Sequence, residues 1–316
     1  MSSPKYLWSI GFTIGVFYSL GAGYVSPVQA GTLYQEWDYT IDSFNDGLDG
    51  GTLGANSEIE LYGMAVKEVD NSLYFAFNSN LSLNGQLSRR AYNRRVSYGD
   101  LFLNFSSTSS TSTFNTYGIR FDVLNDSRLT PGLYQEVSGV SLSQANTGFG
   151  TLDQAHEAIA SQGGTVSYGR LGLDSPYLDQ QSTAITTIST GAYLGDVDLI
   201  TDMADLDLGF SRFGATGTHT FGLRVDRNLL PSGEFIASLF VESGNDGIVL
   251  QGVLNEHFEP PNPANREVPE PTSLIGIGLL SLIEIGRRGW QGKSNKRSPD
   301  QKRPCSFSNV PPQGPT

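Results

Sequence analysis

The sequence predicts an all-β domain, a single β-sandwich or jelly roll, over residues 31–254. Apolar and polar residues alternate with a period of two along many segments, and these segments are rich in aromatic and β-branched residues. Gly, Asn, Asp and Ser bound the segments, as is typical of strands joined by tight turns. Hydrophobic residues make up 38% of the chain, which is enough to fill one sizeable core.

Turn and helix patterns organise these strands. Residues 69–72 are predicted to join the first pair as a hairpin, and residues 230–233 the last pair, because Pro and Gly there set turn dihedrals. One helix is predicted over residues 151–162, where apolar residues have near-helical spacing and two glycines follow. The candidate strands span residues 58–69, 73–81, 100–106, 117–124, 132–142, 184–190, 205–212, 216–227 and 234–243.

The composition excludes several classes of protein. The chain has one cysteine, which excludes a disulfide framework and a cysteine-rich zinc site. Its formal net charge is −12, whereas a nucleic-acid-binding protein is usually basic, so no nucleic-acid partner is expected. An acidic body lies between two basic ends, and each basic end adjoins an apolar run. This pattern is typical of a membrane topology.

The N-terminal 30 residues have the order of charge and hydropathy of a signal peptide. Lys5 provides a positive start, residues 7–24 carry no charge, and Pro27 breaks any helix before the small residue Ala30. Signal peptidase is therefore expected to cleave between Ala30 and Gly31. An uncleaved transmembrane anchor is the alternative, since the uncharged run reaches the spanning range, but its glycines disfavour a permanent helix.

The C-terminal region contains a short apolar run between a proline-rich tetrapeptide and two arginines. Residues 272–285 in a helix extend about 21 Å, short of a hydrocarbon core of about 30 Å, so they would hold a membrane only temporarily. The positive-inside rule places both basic ends in the cytoplasm and the acidic body outside. The flanking residues are Val268, Pro269, Glu270 and Pro271 before the run, and Arg287 and Arg288 after it.

These C-terminal features, in this order, resemble a PEP-CTERM protein-sorting signal. In that family an exosortase, a membrane-embedded cysteine transpeptidase, recognises the Pro-Glu-Pro motif and processes the protein for delivery to the envelope surface or extracellular matrix. The resemblance implies an exosortase as partner and transient membrane contact through the C-terminal helix. The chain departs from the family pattern because it continues from Gly289 to Thr316 after the arginine pair. A Pro-rich linker before an ordinary tail anchor is the alternative.

Blocks of the body are similar to the XDD-type exosortase-dependent surface proteins. The similarity covers most of residues 38–247, and because that family is defined by sorting, it implies no catalytic chemistry. The blocks lie at residues 42–47, 60–68, 98–105, 117–121, 220–223 and 242–246.

Five segments are expected along the chain. Three prolines mark the segment after the body as a linker. The segments are a signal peptide (1–30), a β-sandwich surface domain (31–254), a Pro/Asn-rich linker (255–267), a sorting signal (268–288) and a disordered basic tail (289–316).

No combination of residues predicts an active site. His156, His219 and His257 are isolated from one another and lack the spacing of metal ligands. Neither a nucleophile elbow nor a phosphate-binding loop occurs. The protein is therefore expected not to be an enzyme. A secreted hydrolase with a pair of carboxylates is the alternative, because so acidic a body offers many carboxylates.

Acidic loops make calcium the one candidate cofactor. Asn-Asp-Gly occurs at residues 45–47 and again at 245–247, and Asn-Asp-Ser occurs at 125–127. Calcium takes oxygen ligands from such side chains. Asx turns explain the same residues without a metal, and they are favoured because no EF-hand or RTX spacing occurs. The densest acidic run comprises Asp196, Asp198, Asp202, Asp205 and Asp207.

One basic cluster in the body is a candidate site for an anionic envelope polysaccharide, because guanidinium groups bind anions through forked contacts. A solvated loop is the favoured interpretation, as for most charge clusters. The cluster comprises Arg89, Arg90, Arg94 and Arg95, with Tyr92 between them.

Together these patterns predict a non-enzymatic protein of the cell-envelope surface or extracellular matrix, exported and then held briefly at the membrane. Glycan or calcium binding is the candidate activity of its body. Two alternatives stay open. One is a secreted carboxylate-based polysaccharide hydrolase, and the other is a tail-anchored periplasmic protein without transpeptidation.

Overall fold

The computed structural model describes residues 32–105 and 115–255, which lie in the first of two units of the chain, Met1–Glu259. The predicted all-β class is confirmed, since antiparallel strands dominate these residues and α1 (Leu152–Ser161) is their one α-helix. The residues predicted to form the signal peptide, the sorting signal and the basic tail lie outside the described residues. No helix among the described residues is long and apolar enough to cross a membrane.

The first sheet has six strands, and all its pairs are antiparallel. In sheet order they are β1 (Thr32–Tyr34), β2 (Trp37–Ile41), β5 (Leu61–Val69), β6 (Ser72–Ser79), β14 (His219–Asp226) and β13 (Asp198–Ile200).

The second sheet also has six antiparallel strands. In sheet order they are β12 (Thr187–Gly195), β11 (Gly132–Val140), β10 (Asn115–Arg120), β9 (Leu101–Phe105), β15 (Gly233–Phe240) and β16 (Gly247–Leu254). Two small hairpins pair β3 (Leu48–Asp49) with β4 (Thr52–Leu53), and β7 (Gln86–Leu87) with β8 (Arg95–Val96).

The largest hydrophobic cluster takes buried side chains from both sheets. Four aromatic rings lie at its centre, with centroids 5.0–6.3 Å apart in the contacting pairs. Aromatic pairs at these separations add to the stabilisation that burial alone provides. The rings belong to Phe77, Tyr98, Phe121 and Phe221.

The other face of the first sheet carries a second, smaller cluster of aromatic residues, and here one strand prediction is wrong. Residues 205–212 form no strand; two 3-10 helices, Ala204–Leu206 and Phe210–Phe213, take their place. Asp207 between them has a left-handed φ of 51°, which interrupts regular strand geometry. The segment packs on the sheet, where Trp37 Nε1 donates to the Leu206 carbonyl at 2.8 Å.

The two predicted turns have different outcomes. The hairpin at residues 69–72 is confirmed, because Val69 pairs with Ser72 at the β5–β6 turn. The hairpin at residues 230–233 is wrong, because β14 belongs to the first sheet and β15 to the second. The connection from β14 to β15 therefore passes from one sheet to the other. The buried Arg227 side chain stabilises it by donating to the Leu230 carbonyl at 2.8 Å and the Asn255 carbonyl at 2.6 Å.

The predicted helix is confirmed at Leu152–Ser161. The Thr151 side chain accepts a hydrogen bond from the Gln154 amide and so caps the first turn. Leu152, Ala155 and Ile159 lie on the buried face. The chain turns out of the helix at Gly163, whose φ of 84° suits glycine.

Substitutions of two leucines on different strands should have very different effects on the free energy of unfolding. Leu239 in β15 is completely buried, whereas Leu87 in β7 is 77% exposed. Leu239→Ala should lower the free energy of unfolding by about 2–5 kcal/mol, because it leaves a cavity in the shared core. Leu87→Ala is the matched control and should change it by less than about 0.5 kcal/mol. Urea unfolding followed by circular dichroism measures both, and equal losses would contradict this account of the core.

Candidate functional site

A group of four buried carboxylates lies where three strands of the two sheets begin or end. Asp42 directly follows β2, Glu60 directly precedes β5, and Asp246 directly precedes β16. Asp46 lies in the loop after β2. β2 and β5 are neighbours in the first sheet and β16 belongs to the second, so the group, here called the acidic junction, involves both sheets.

The carboxylates of the acidic junction lie close together. Asp42, Asp46 and Asp246 each offer one oxygen, and these three oxygens all lie within 4.8 Å of one another. Glu60 joins them at Gly47, whose amide donates to Glu60 Oε2 at 2.7 Å. A Cβ atom at position 47 would lie 2.6 Å from Glu60 Oε2 and 2.8 Å from Asp246 Oδ2. This close approach requires glycine at position 47.

The acidic junction is almost completely closed to solvent, with residue exposures from 0% for Glu60 to 6% for Asp42. Backbone amides satisfy some of its oxygens. Asp42 Oδ1 accepts from the amides of Ser43 and Gly169, at 2.9 Å and 3.1 Å. Asp246 Oδ2 accepts from the Leu61 amide at 2.7 Å. These bonds tie the junction to β5 and to the segment after α1.

Three oxygens of the acidic junction have no hydrogen-bond partner among the described residues: Asp42 Oδ2, Asp46 Oδ1 and Glu60 Oε1. Each belongs to a carboxylate whose other oxygen accepts at least one amide hydrogen bond. A buried carboxylate oxygen without a donor is costly, because it has lost its water and gained nothing in return.

Burial disfavours the charged form of every member of the acidic junction. Desolvation raises the pKa of Asp46 to about 7. It also raises the pKa of Glu60 to about 8, with repulsion from Asp46 as the second cause. The pKa values of Asp42 and Asp246 lie well above the ordinary range, again through burial first and the Asp46 charge second. Four such groups can be ionised together only with a compensating cation.

Tyr168 connects the acidic junction to helix α1. Burial raises the pKa of its phenol, and the charges of Asp246, Asp42 and Asp46 raise it further. Its hydroxyl lies 2.9 Å from His156 Nε2, so this histidine has an ordinary hydrogen-bond partner. His219 is exposed at the start of β14, and His257 lies outside the described residues. The structure does not bring the described histidines together.

A second group of buried carboxylates, Asp100, Asp122 and Glu242, differs from the acidic junction in its partners. Asp100 accepts from the Ile188 amide and from Asn125 Nδ2, at 2.6 Å and 2.8 Å. Glu242 accepts from the amides of Ser97 and Asp126, at 3.1 Å and 2.6 Å. The Arg120 charge also acts on Asp100 and Asp122. This group fixes backbone segments, and Asp122 Oδ2 is its one carboxylate oxygen without a hydrogen-bond partner among the described residues.

The three loops predicted as calcium candidates differ in where the structure places them. The loops at residues 45–47 and 245–247 meet in the acidic junction, 200 residues apart in the sequence. At residues 125–127 the favoured Asx turn is present, since Asn125 Oδ1 accepts from the Ser127 amide at 3.2 Å. Among the described residues, the acidic run from Asp196 to Asp207 forms no comparable group of carboxylates. Asp198 instead pairs with Arg224.

The basic cluster lies on the hairpin loop between β7 and β8, except for Arg95, which is the half-buried first residue of β8 and donates to the Asn84 carbonyl. Arg89, Arg90, Arg94 and Tyr92 are exposed there, as the prediction of a solvated loop requires. Tyr92 also lines a surface groove of about 440 Å³ together with Arg128.

Other site residues were either missed or lie elsewhere. No sequence pattern predicted a ligand role for Asp42 or Glu60. Each directly adjoins the end of an apolar strand, and a single acidic residue at that position is a signal that could have identified it as a candidate ligand. The predicted signal-cleavage and sorting residues lie outside the described residues: Ala30, Gly31, Val268, Pro269, Glu270, Pro271, Arg287 and Arg288.

The second carboxylate group predicts a pH dependence of stability that can be measured without any metal. Burial raises the pKa of Glu242 to about 8 from an ordinary value of 4.5, and repulsion from Asp126 contributes to the rise. Between these values the folded chain holds a proton that the unfolded chain has released, so stability falls as the pH rises. From about pH 5 to 8, wild type should lose up to about 1.4 kcal/mol per pH unit relative to Glu242→Gln.

Urea unfolding at several pH values, with a chelator present, measures this difference. The exposed Glu58→Gln variant is the matched control and should follow wild type at every pH. Parallel pH profiles for wild type and Glu242→Gln would contradict the assigned protonation.

Comparison with known proteins gives no relative from which a function could be taken. No protein-family model, no curated protein and no solved structure matches this chain. The chemistry of the acidic junction therefore follows from its own residues.

Proposed function

We propose that this chain is a non-enzymatic exported protein of the cell-envelope surface or extracellular matrix, processed by an exosortase at its C-terminal Pro-Glu-Pro signal. One observation carries the proposal: a signal-peptide pattern at one end, with Pro-Glu-Pro, a short apolar run and an arginine pair at the other, in that order. Each feature is common by itself, whereas the ordered set is specific.

The extent of the folded body supports this arrangement. Among the described residues, the first strand begins at Thr32, directly after the expected mature start at Gly31, and the last ends at Leu254, where the Pro-rich linker is expected to begin. A processed chain would thus keep the whole β-structure. We further infer that the two sheets form a β-sandwich, because one hydrophobic cluster takes side chains from both.

The burial of the acidic groups supports a non-enzymatic role over a polysaccharide hydrolase. A glycosidase needs a pair of carboxyl groups on either side of an accessible glycosidic bond. The carboxylates with the most strongly raised pKa values, in the acidic junction and the second group, are at most 6% exposed. A polymer chain cannot contact groups buried to this degree.

An anionic envelope polysaccharide is the partner that fits the exposed surface best. The arginines on the β7–β8 loop have no ion-pair partner among the described residues. Tyr92 beside them is 74% exposed. Arginine and an exposed aromatic ring together suit an acidic sugar chain.

The ends of the mature protein test the proposed sorting. Intact mass and terminal peptides should be measured from cells with and without a functional exosortase. The expected product starts at Gly31 and has lost the residues after the Pro-Glu-Pro region, but only in cells that contain the enzyme.

A variant separates sorting from simple export. Glu270→Gln changes the motif and leaves the signal peptide intact, so it should still start at Gly31 but keep Arg287 and Arg288. If wild type keeps both arginines in both strains, the protein is a tail-anchored protein without transpeptidation, and the proposal is wrong.

A further inference from the structure

We propose that Asp42, Asp46, Glu60 and Asp246 form a calcium-binding site that joins the two sheets at the acidic junction. The site belongs to the folded body, so the inference does not depend on how the ends of the chain are processed. Its support comes from the unpartnered oxygens, the local charge and the spacing of the ligands.

The hydrogen bonds of the junction satisfy only one oxygen in each of three carboxylates. Asp42, Asp46 and Glu60 each use one carboxylate oxygen to accept from backbone amides, at 2.7–3.1 Å. The other oxygen of each is buried and has no partner among the described residues. A bound cation is an interaction that such buried carboxylate oxygens lack.

Within residues 32–105 and 115–255, no cationic side chain forms an ion pair with the junction. The four ion pairs of the described residues lie elsewhere. Arg170, which follows the segment that contacts the junction, is already engaged by Asp38 and by the Gln251 carbonyl at 2.7 Å. The charge of the ionised junction is therefore uncompensated within the described part of the chain.

The ligand set selects a hard divalent cation. Every group is a carboxylate, and neither His nor Cys belongs to the set, whereas zinc sites use mainly those residues. Oxygens on opposite sides of calcium, each at 2.3–2.6 Å, lie at most about 4.6–5.2 Å apart. The three aspartate oxygens within 4.8 Å of one another fall inside that limit. Magnesium is disfavoured because it demands near-ideal octahedral geometry and gives up its water reluctantly.

A further unpartnered oxygen belongs to the residue that precedes Asp246. Asn245 is buried next to Asp246 in the sequence, and its Oδ1 has no hydrogen-bond partner among the described residues. Its Nδ2 donates to the Leu48 carbonyl at 3.1 Å, which fixes the side chain. Calcium takes six to eight oxygens, and four carboxylates with an amide can provide them.

The second carboxylate group is a buried cluster with more internal compensation. Both oxygens of Asp100 and both oxygens of Glu242 accept hydrogen bonds, Asp122 Oδ2 alone has no partner among the described residues, and the Arg120 charge acts on Asp100 and Asp122. In the acidic junction three of the four acids have an unpartnered oxygen, and no arginine charge within the described part of the chain acts on them. The same chain therefore provides an internal comparison in favour of a ligand at the junction.

Calcium at this position would connect segments that are distant in the sequence. Its ligands lie at the end of β2, the start of β5 and the start of β16, and Ser167 and Gly169 donate to two of them. Binding to the folded state alone raises stability in proportion to the logarithm of ligand concentration. At about a hundred times the dissociation constant, the melting temperature should rise on the order of 5–10 °C.

Calorimetric titration of the chelator-treated full chain with calcium chloride tests the site. We expect one ion per chain, with a dissociation constant of about 10⁻³ M or tighter, as in extracellular calcium modules. Magnesium should bind more weakly. No binding below about 10⁻² M calcium, or tighter binding of magnesium, would overturn the assignment.

Two variants locate the site without removing a hydrogen bond. Asp42→Asn and Asp46→Asn keep the oxygen that accepts from the backbone and replace only the unpartnered one. Each should weaken calcium binding at least about tenfold. Asp205→Asn, on the exposed acidic run, is the matched control and should bind like wild type. An equal loss in Asp205→Asn would place the ion elsewhere and overturn the proposal.

Thermal melts separate ion binding from a folding defect. In chelator at about pH 8, Asp42→Asn and Asp46→Asn should melt at or above the wild-type temperature, because each replaces one acid of a buried, mutually repelling group with a neutral amide. In saturating calcium they should melt below wild type. Variants less stable than wild type by the same amount in both conditions would show a structural role only, and the proposal would be wrong.

Discussion

The burial of four carboxylates at the acidic junction is the constraint on which the joining of the two sheets depends. Desolvating a carboxylate is expensive, and a nearby like charge adds to that energy. The junction can therefore exist either protonated or with a bound cation. Its geometry is set by the backbone, since amides of Ser43, Gly47, Leu61, Ser167 and Gly169 fix one oxygen of each acid.

The hydrophobic core and the acidic junction have different roles in the fold. The shared core supplies most of the free energy of folding, because it buries aromatic and aliphatic side chains of both sheets. The junction fixes how the sheets meet at one point, through Asp246 on the second sheet and the Leu61 amide on the first. In the proposed location outside the cytoplasm, calcium at millimolar levels would suit a site of modest affinity.

Much of the fold could be predicted from local patterns, and the junction could not. Period-two alternation located β5, β6, β9, β11 and β15, and near-helical spacing of apolar residues before two glycines located the helix. The same alternation failed at residues 205–212, because the apolar residues there cover the first sheet from 3-10 turns. Strand β16 was missed, since a strand buried on both faces has no alternation.

Long-range pairing explains why the site was only half predicted. The repeated Asn-Asp-Gly sequence pointed to both loops, but sequence alone cannot show that they meet, and Asp42 and Glu60 join them only through strand order. The most direct test is a crystal structure determined from calcium-containing solution. The account predicts one ion bonded to Asp42, Asp46 and Asp246 oxygens at about 2.3–2.6 Å. Carboxylates bonded to each other through shared protons, with no ion between them, would contradict it.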